Sequence, residues 1–411
     1  VNPPLFFHAL LGVRRTHLCL ACELRMGVSC CRPSNSFDDR ALPPEVHGLQ
    51  YLCGLHGKVG PPSEAGKAGN HKDVTLPCLL LSGKQVLETQ QAFAAKPSEL
   101  RGPSPVQELT RPVGVVCQKG FKMGIAMKPK QTPNQDNYVA IQSGKLGIYG
   151  VFDGHGPCGH KISDFVSSSL PKCLALDPYF QDDALNAVGR AFSKTQGNLQ
   201  RNARKGLFNS KVSGSTATLL VVQEADVGSS LYVAHIGDSR AVLARSRGQD
   251  SQIDVVDLTE DHKPNTPTER MRIVAAGGVV MQLNGDTNHR IFLKDKMAPG
   301  LAMSRSFGDE LAASVGVSSV PDLQEFKVED DWLFVLICSD GIWEFMSSEE
   351  AVDVIRQHHP DQVQMAVEAL AERGRQRWFE ESLGYVDDIT VLCVWLNFGD
   401  GAVTSAKSRA F

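Results

Sequence analysis

The sequence predicts an α+β fold: an αββα sandwich in which two mainly antiparallel β-sheets are flanked by helices on both outer faces. Three observations carry that expectation. Between Val113 and Leu396, short strand-like apolar runs alternate with longer stretches at helical spacing. Several runs are joined by turns too short for a parallel crossover, as at Gly237-Asp238-Ser239-Arg240. The chain has 411 residues, 42% of them hydrophobic, enough for one large core plus an appendage.

Taken in order, residues 1–112 lack sustained periodicity and are broken by Pro3-Pro4, Pro43-Pro44, Pro61-Pro62, Pro103 and Pro105, which predicts a largely unstructured extension. Residues 113–397 are the expected folded domain and 398–411 a tail. Strands are expected at Tyr138–Ile141, Leu146–Phe152, Ala217–Val222, Leu231–Ile236, Ala241–Arg245, Leu333–Ile337 and Ile389–Leu396, each a short apolar run bounded by turn residues. Helices are expected over Gly159–Leu174, Asp182–Arg204, Thr268–Ala276, Ser348–Gln357 and Asp361–Glu381. In the second of these, Leu185, Val188, Ala191 and Phe192 recur at helical spacing and mark one buried face. Ser347 or Ser348, followed by Glu349-Glu350, reads as a helix start with acids in the first turn. Lys263 to Gly300, punctuated by Pro264, Pro267, Gly277, Gly278 and Pro299, is expected to form a helix and a flap.

Lys+Arg 42 against Asp+Glu 46 leaves a net charge of −4, without the broad positive field that phosphate-backbone contacts demand, so nucleic acid is not an expected partner. The 11 cysteines are odd in number and scattered, with no secretory signal. They point to a reducing, cytoplasmic setting, with the nucleus left open. No apolar stretch reaches the ~18–20 residues of a membrane span. A monomer is expected.

The chemistry concentrates at strand ends. Asp153-Gly154-His155-Gly156, directly after Leu146–Phe152, sets a carboxylate, two flexible backbone positions and an imidazole at one such end. Asp238, Asp340 and Asp387 occupy the same kind of place. Any one of them alone is as readily a turn former or helix cap. Converging together, they would repel and raise one another's pKa unless a cation intervened. Hard oxygen donors without a His/Cys cluster select magnesium or manganese over zinc. Two such ions ~3.5–4 Å apart could share a water, lower its pKa and clamp the oxygens of an in-line displacement at phosphorus.

The stretches PNQDNY, VFDGHGPCGH, SGSTATLLVV, AHIGDSRAVL, DHKPNTPTERMRI, AAGGVV, LAMSRSFGD, SDGIWEFMSSEEAV and DDITV run in that order between about Cys117 and Leu396. They resemble the ordered motifs of the metal-dependent serine/threonine phosphatases of the protein phosphatase 2C type. The resemblance implies hydrolysis of phosphoserine and phosphothreonine in phosphoprotein substrates by a hydroxide bridging two Mg²⁺ or Mn²⁺ ions. It implies that Asp153 bridges both ions, that the Gly154 carbonyl ligates one, and that Asp340 and Asp387 hold the second. Asp136 would act through bound water. Asp238, with Glu344 nearby, matches the position that helps hold a third, weaker ion. His155 takes the place of the general acid to the leaving Ser or Thr oxygen, a task suited to an imidazole pKa of ~6.5. His160 and His235 are expected to be structural.

One stretch departs from the pattern. Many members carry an arginine shortly before the Gln/Glu-Asp pair to hold phosphate, and here Lys128-Pro129-Lys130 stands instead. Lys128 and Lys130 therefore become the phosphate-binding candidates, with a point charge in place of a bidentate fork. Gln135 replaces the glutamate of some members. Ser213 to Thr216 is expected only to pack small side chains beneath the site.

Rival readings are weaker. Cys19 and Arg25 have the Cys-x5-Arg spacing of cysteine phosphatases, but Leu20 to Leu24 lacks the glycines of a phosphate nest and adds Glu23. A pseudophosphatase or phosphoprotein-binding scaffold is the alternative from another class, and a phosphatase of small metabolites a third; retention of Asp153, Asp340 and Asp387 favours turnover. The first methionine is Met26, followed by Gly27-Val28-Ser29-Cys30-Cys31. Initiation there would expose Gly27 to myristoylation beside two palmitoylatable cysteines, Cys30 and Cys31, and so attach the protein to a membrane surface. Cys31 stands where that motif usually has Ser or Thr.

Overall fold

The computed structural model describes residues 111–122, 133–225, 228–247, 252–382 and 385–397. The first part comprises β1 (Val113–Gln118), β2 (Phe121–Lys122), β3 (Asn137–Ser143), β4 (Leu146–Phe152), β5 (Gly154–His155), α1 (Gly159–Ala175) and α2 (Ala184–Arg204). Next come β6 (Gly214–Ser215), β7 (Ala217–Glu224), β8 (Ser229–Ile236), β9 (Arg240–Arg247), β10 (Gln252–Asp257) and α3 (Pro267–Ala275). They are followed by β11 (Gly278–Gln282), β12 (His289–Leu293), β13 (Lys296–Leu301), β14 (Phe307–Gly308) and α4 (Glu310–Ala313). The last part is β15 (Asp322–Val328), β16 (Trp332–Cys338), α5 (Asp340–Trp343), α6 (Ser348–Ile355), a 3-10 turn at Pro360–Gln362, α7 (Val363–Glu381), β17 (Tyr385–Val386) and β18 (Ile389–Trp395).

Two five-stranded antiparallel sheets, ordered β1-β18-β16-β9-β10 and β15-β8-β7-β4-β3, form the centre. Strand periodicity explains how they stack. In β4, Tyr149 and Val151 join a core shared with Leu220 and Val222 of β7 and with Val335 and Ile337 of β16, so this core lies between the sheets. The alternate residues Ile148 and Phe152 pack instead against Ile162, Val166 and Leu170 of α1 and Phe192 of α2. On the other side Phe334, Leu336 and Cys338 of β16 meet Val352 and Ile355 of α6 and Val367 and Leu370 of α7. Both faces of the inner strands are thus buried, which is why they read as continuous apolar runs although their pairing is antiparallel. This is the αββα sandwich expected from the sequence.

Several details differ from expectation. The Gly237-Asp238-Ser239 connection is not a hairpin: β8 and β9 belong to different sheets, and the turn carries the chain from one to the other. β1, β10 and β15 went unanticipated. Gly114 interrupts the apolar run of β1, where a Cβ would lie 2.6 Å from the Val363 carbonyl oxygen of α7. β10 and β15 are sheet edges, and their charged, half-exposed residues blur the pattern. α7 starts at Val363 rather than Asp361, after the 3-10 turn. The α6 start is a complete capping box: Ser347 Oγ accepts from Glu350 N at 3.2 Å, and Ser347 N donates to Glu350 Oε2 at 3.2 Å.

The flap packs α3 on the small sheet β11-β12-β13 around Ile273, Ile291 and Leu301. Glu269 of α3 is only 2% exposed and accepts hydrogen bonds from Arg272, Arg305 and Ser304, while Arg305 also reaches Asp322 Oδ1 of β15 at 2.6 Å. Burial opposes ionisation of Glu269, but these donors outweigh it and hold the carboxyl down at about 2. Among the described residues no helix is long and apolar enough to cross a membrane. The proposed acylation at Gly27, Cys30 and Cys31 lies outside the described residues.

Two measurements follow from this packing. Phe192 is fully buried and stacks on Phe307 with ring centroids 5.3 Å apart; Phe192→Ala should lower unfolding free energy by ~3–5 kcal/mol in urea titration. The Glu269 carboxyl has a lower pKa folded than unfolded, so its contribution is present above the ordinary value of 4.5 and is lost as pH falls toward 2. Across that window the melting temperature of the wild type should fall more steeply than that of Glu269→Gln, and parallel slopes would refute the assignment.

Candidate active site

The aspartates at strand ends converge at one edge of the sandwich. Asp153 follows β4, Asp238 sits in the β8–β9 connection, Asp340 opens α5 directly after β16, and Asp387 precedes β18. Asp153 is gripped by its backbone. Its N–H donates to Thr216 Oγ1 at 3.0 Å, its carbonyl accepts from Thr216 N at 2.8 Å, and Thr216 Oγ1 lies 2.7 Å from Ser239 Oγ. The segment Ser213–Thr216 therefore positions the first aspartate rather than merely filling space. The signal for this was a hydroxyl immediately before a buried strand.

Close backbone approach completes the convergence. A Cβ on Gly341 would lie 2.1 Å from the Asp388 carbonyl oxygen, so only glycine lets the start of α5 meet the turn that holds Asp387. Asp387 accepts from Tyr385 Oη at 2.7 Å and from Asp388 N at 2.9 Å. Asp136, 6% exposed, accepts at Oδ2 from Ser339 Oγ at 2.7 Å and from Thr390 Oγ1 at 2.8 Å. Gly154 N donates to the Gln135 carbonyl at 3.1 Å, tying the tetrad to the Asp136 segment. Glu344 is half-buried at the end of α5, its N–H on the Asp340 carbonyl at 2.9 Å.

Asp388 was not singled out from sequence, and its only signal is adjacency to Asp387. Its Oδ1 accepts from Gly120 N and its Oδ2 from Gln135 N, each at 2.7 Å. One carboxylate thus ties both ends of the segment that runs from Gly120 to Gln135. Lys128 and Lys130, which lie in that segment, fall outside the described residues.

The electrostatics are those of like charges denied water. Burial pushes Asp153 well above the usual carboxylate range, and Asp340, Asp136, Asp387 and Asp238 push it further. Asp340 is raised by burial, then by Asp387 and Asp238, with partial relief from Lys263 and from a hydrogen bond to Asp153. Asp136 goes up to about 7, from burial and then Asp388, against the pull of the Ser339 and Thr390 hydroxyls. Asp238 is 3% exposed; Lys263 Nζ donates to its Oδ2 at 2.6 Å, while Oδ1 is buried with no partner. An all-oxygen donor set, mutually elevated carboxyls and an orphaned buried oxygen together fit a hard divalent cation.

His155 sits on β5, paired with Gly214 of β6, and its Nε2 lies 2.5 Å from Asp309 Oδ2. Asp309 also accepts from Ser306 Oγ at 2.6 Å and is held at φ 42°, among the described residues the one non-glycine with positive φ. A Cβ on Gly214 would come within 2.2 Å of Asp309 Oδ2, so that glycine makes room for the pair. Burial alone would lower the His155 pKa, but the Asp309 charge and hydrogen bond, with Asp238 beyond, raise it above its ordinary value. His155 Nδ1 is buried and without a partner among the described residues.

Among the described residues, the trio with ligand atoms all within 4.8 Å of one another is a different one: His235, His262 and Asp322. Its rings are stacked, 4.2 Å apart and 11° from parallel, so an ion in the plane of one ring would lie off the plane of the other. The nitrogens are also engaged. His235 Nε2 faces the Glu260 carbonyl at 2.8 Å, His262 Nδ1 accepts from Gly237 N at 3.1 Å, and His262 Nε2 is 3.2 Å from Asp322 Oδ2. Burial, with His262 beside it, holds the His235 imidazole down at about 4. The pair braces the turn that carries Asp238.

Residues 117–382 match the Protein phosphatase 2C family. Two relatives from Arabidopsis thaliana, Probable protein phosphatase 2C 73 and Probable protein phosphatase 2C 72, are 34% and 33% identical over 282 and 276 residues. Each alignment covers 64% of this chain, with 74% of the first relative and 81% of the second. Among solved structures, serine-threonine phosphatase 2C from Toxoplasma gondii has a TM-score of 0.59 at 21% identity, covering 70% of this chain and 96% of that one. A C. elegans sex determining protein has a TM-score of 0.57 at 18% identity, covering 71% and 66%. At those identities the structural likeness speaks to the fold.

The His155–Asp309 contact makes a direct prediction. In the ion-free protein, Asp309→Ala should lower the His155 pKa relative to the wild type when the imidazole nitrogens are followed by NMR, and an unmoved titration would refute the pairing.

Proposed function

The chain belongs to the protein phosphatase 2C family and is a protein serine/threonine phosphatase, and we propose that it hydrolyses phosphoserine and phosphothreonine with two Mg²⁺ or Mn²⁺ ions held by its carboxylate cluster. The observation that carries this reading is the joint elevation of Asp153 and Asp340 in a half-buried, all-oxygen donor set, which a hard divalent charge relieves. In this reading Asp153, the Gly154 carbonyl, Asp340 and Asp387 would hold the ions, and Asp136 would act through water. Bound there, the ions would supply an acidified water as the attacking group and neutralise charge on the phosphoryl oxygens.

The chain's own residues do the rest. Thr216 and Ser239 keep the Asp153 backbone still, so its carboxylate does not drift. Asp309 orients the imidazole through Nε2 and favours its protonated form, leaving His155 to give a proton to the departing Ser or Thr oxygen. Lys128 and Lys130, on the segment whose ends Asp388 ties, would attract the substrate phosphate. The thiol beside Asp136 is not a ready nucleophile. Cys117, beside Asp136, is pushed up to about 12 by burial and that neighbouring charge, so it stays protonated at neutral pH.

Chelation with EDTA should abolish phosphate release from a phosphothreonine peptide, and Mn²⁺ should restore it; turnover in excess chelator would sink the mechanism. Asp153→Ala should lose Mn²⁺ binding along with activity. His155→Ala should keep Mn²⁺ binding and slow turnover by ~10²–10⁴, more for a phosphopeptide than for p-nitrophenyl phosphate. A protein that bound phosphopeptide but released no phosphate with Mn²⁺ would instead be a scaffold.

A further inference from the structure

We propose that Lys263 is a tethered cation that competes with a divalent ion for Asp238, and so weakens the hold of any ion bound there. This rests on the divalent-ion reading of the cluster. Asp238 offers its two oxygens to different environments. Oδ2 takes the Lys263 ammonium at 2.6 Å, and Oδ1 is buried with no donor. A carboxylate that is 3% exposed does not leave an oxygen unsatisfied without consequence, and hard-cation ligation is what an inward, donor-free oxygen supports.

Lys263 pairs with Asp238 and not with Asp261, because Asp261 is already matched. Arg240 pairs with both oxygens of Asp261, at 3.0 and 2.9 Å. The ammonium also belongs electrostatically to the cluster. It relieves Asp340, and its own pKa, lowered by burial, is raised overall by Asp238, Asp261 and Asp340. A divalent ion drawn to Asp238 therefore meets a like charge in its first surroundings.

The geometry also allows the two to exchange. The Lys263 side chain is 30% exposed, so the ammonium can swing toward water without dismantling a core. Its backbone stays put, because His262 N donates to the Gly237 carbonyl at 2.9 Å and Thr266 N to the Lys263 carbonyl at 3.1 Å. Lysine in place binds Asp238 as a single charge, and lysine displaced leaves both oxygens for an ion. An ion at Asp238 is held weakly because the protein supplies its own competitor.

Mn²⁺ titration calorimetry on the full chain tests this. Lys263→Met, which keeps the apolar stem, should fill its weakest Mn²⁺ class at a concentration lower by about tenfold or more, the size of effect one adjacent charge has on a neighbouring ionic equilibrium. Lys263→Arg should remain near the wild type, and adding Asp238→Asn to Lys263→Met should remove the gained class. The same weak-class midpoint in Lys263→Met and wild type, with tighter ions binding normally, overturns the proposal while leaving the cluster reading intact. Absence of any Mn²⁺ binding overturns both. A second readout uses the wild type alone: acylation of Lys263, followed by mass spectrometry, should rise over the Mn²⁺ range that fills the weak class, and a flat response overturns the exchange.

Discussion

Asp153, Asp340, Asp136 and Asp238 bring carboxylates from four distant segments to a half-buried place with little water to spare, and each of the other three makes Asp153 harder to ionise. A fold that gathers such groups must neutralise them with protons or with cations. Glu269, also buried, makes the contrast clear: Arg272 and Arg305 hold it down at about 2, whereas Asp153, Asp340 and Asp136 face further carboxylates and are held up. Burial is common to both places. The partner decides the direction.

The sandwich supplies the rigidity this concentration of charge requires. Two helical layers and the inter-sheet core immobilise the strands, and the aspartates extend from strand ends by only a residue or two. Like charges therefore cannot relax apart by moving whole elements. What remains free to respond is small: a hydrogen bond between Asp153 and Asp340, a lysine side chain on Asp238, and an imidazole paired with Asp309. A family built on divalent-ion chemistry gains from this, since orientation is settled before substrate arrives.

The supports are backbone contacts as much as side chains. Thr216 holds Asp153 by both its N–H and its carbonyl, and Asp388 ties Gly120 to Gln135 while its own carbonyl presses on Gly341. The stacked pair His235 and His262 does the same for the turn that carries Asp238, through Gly237. These residues touch no reacting atom in the proposed mechanism, yet they fix those that do.

Leu146–Phe152 was legible as a strand from its residues alone, and β4 occupies those same positions, because seven apolar residues followed by Asp-Gly leave few other local solutions. The alternation of strands and helices also implied the layered fold, and the motif aspartates stood out through residue type and position at strand ends. Sheet membership was not legible. The short link after β8 suits a hairpin locally, and only the packing of the whole sandwich assigns β8 and β9 to opposite sheets. Thr390 reaching Asp136 across 254 positions, Asp388 reaching Gln135 across 253, and Asp309 reaching His155 across 154 carry no local signature either. Periodicity and turn chemistry are properties of neighbouring residues and can be read in one dimension. Hydrogen-bond partners and pKa shifts arise from distances between remote segments, which exist only once the chain has folded.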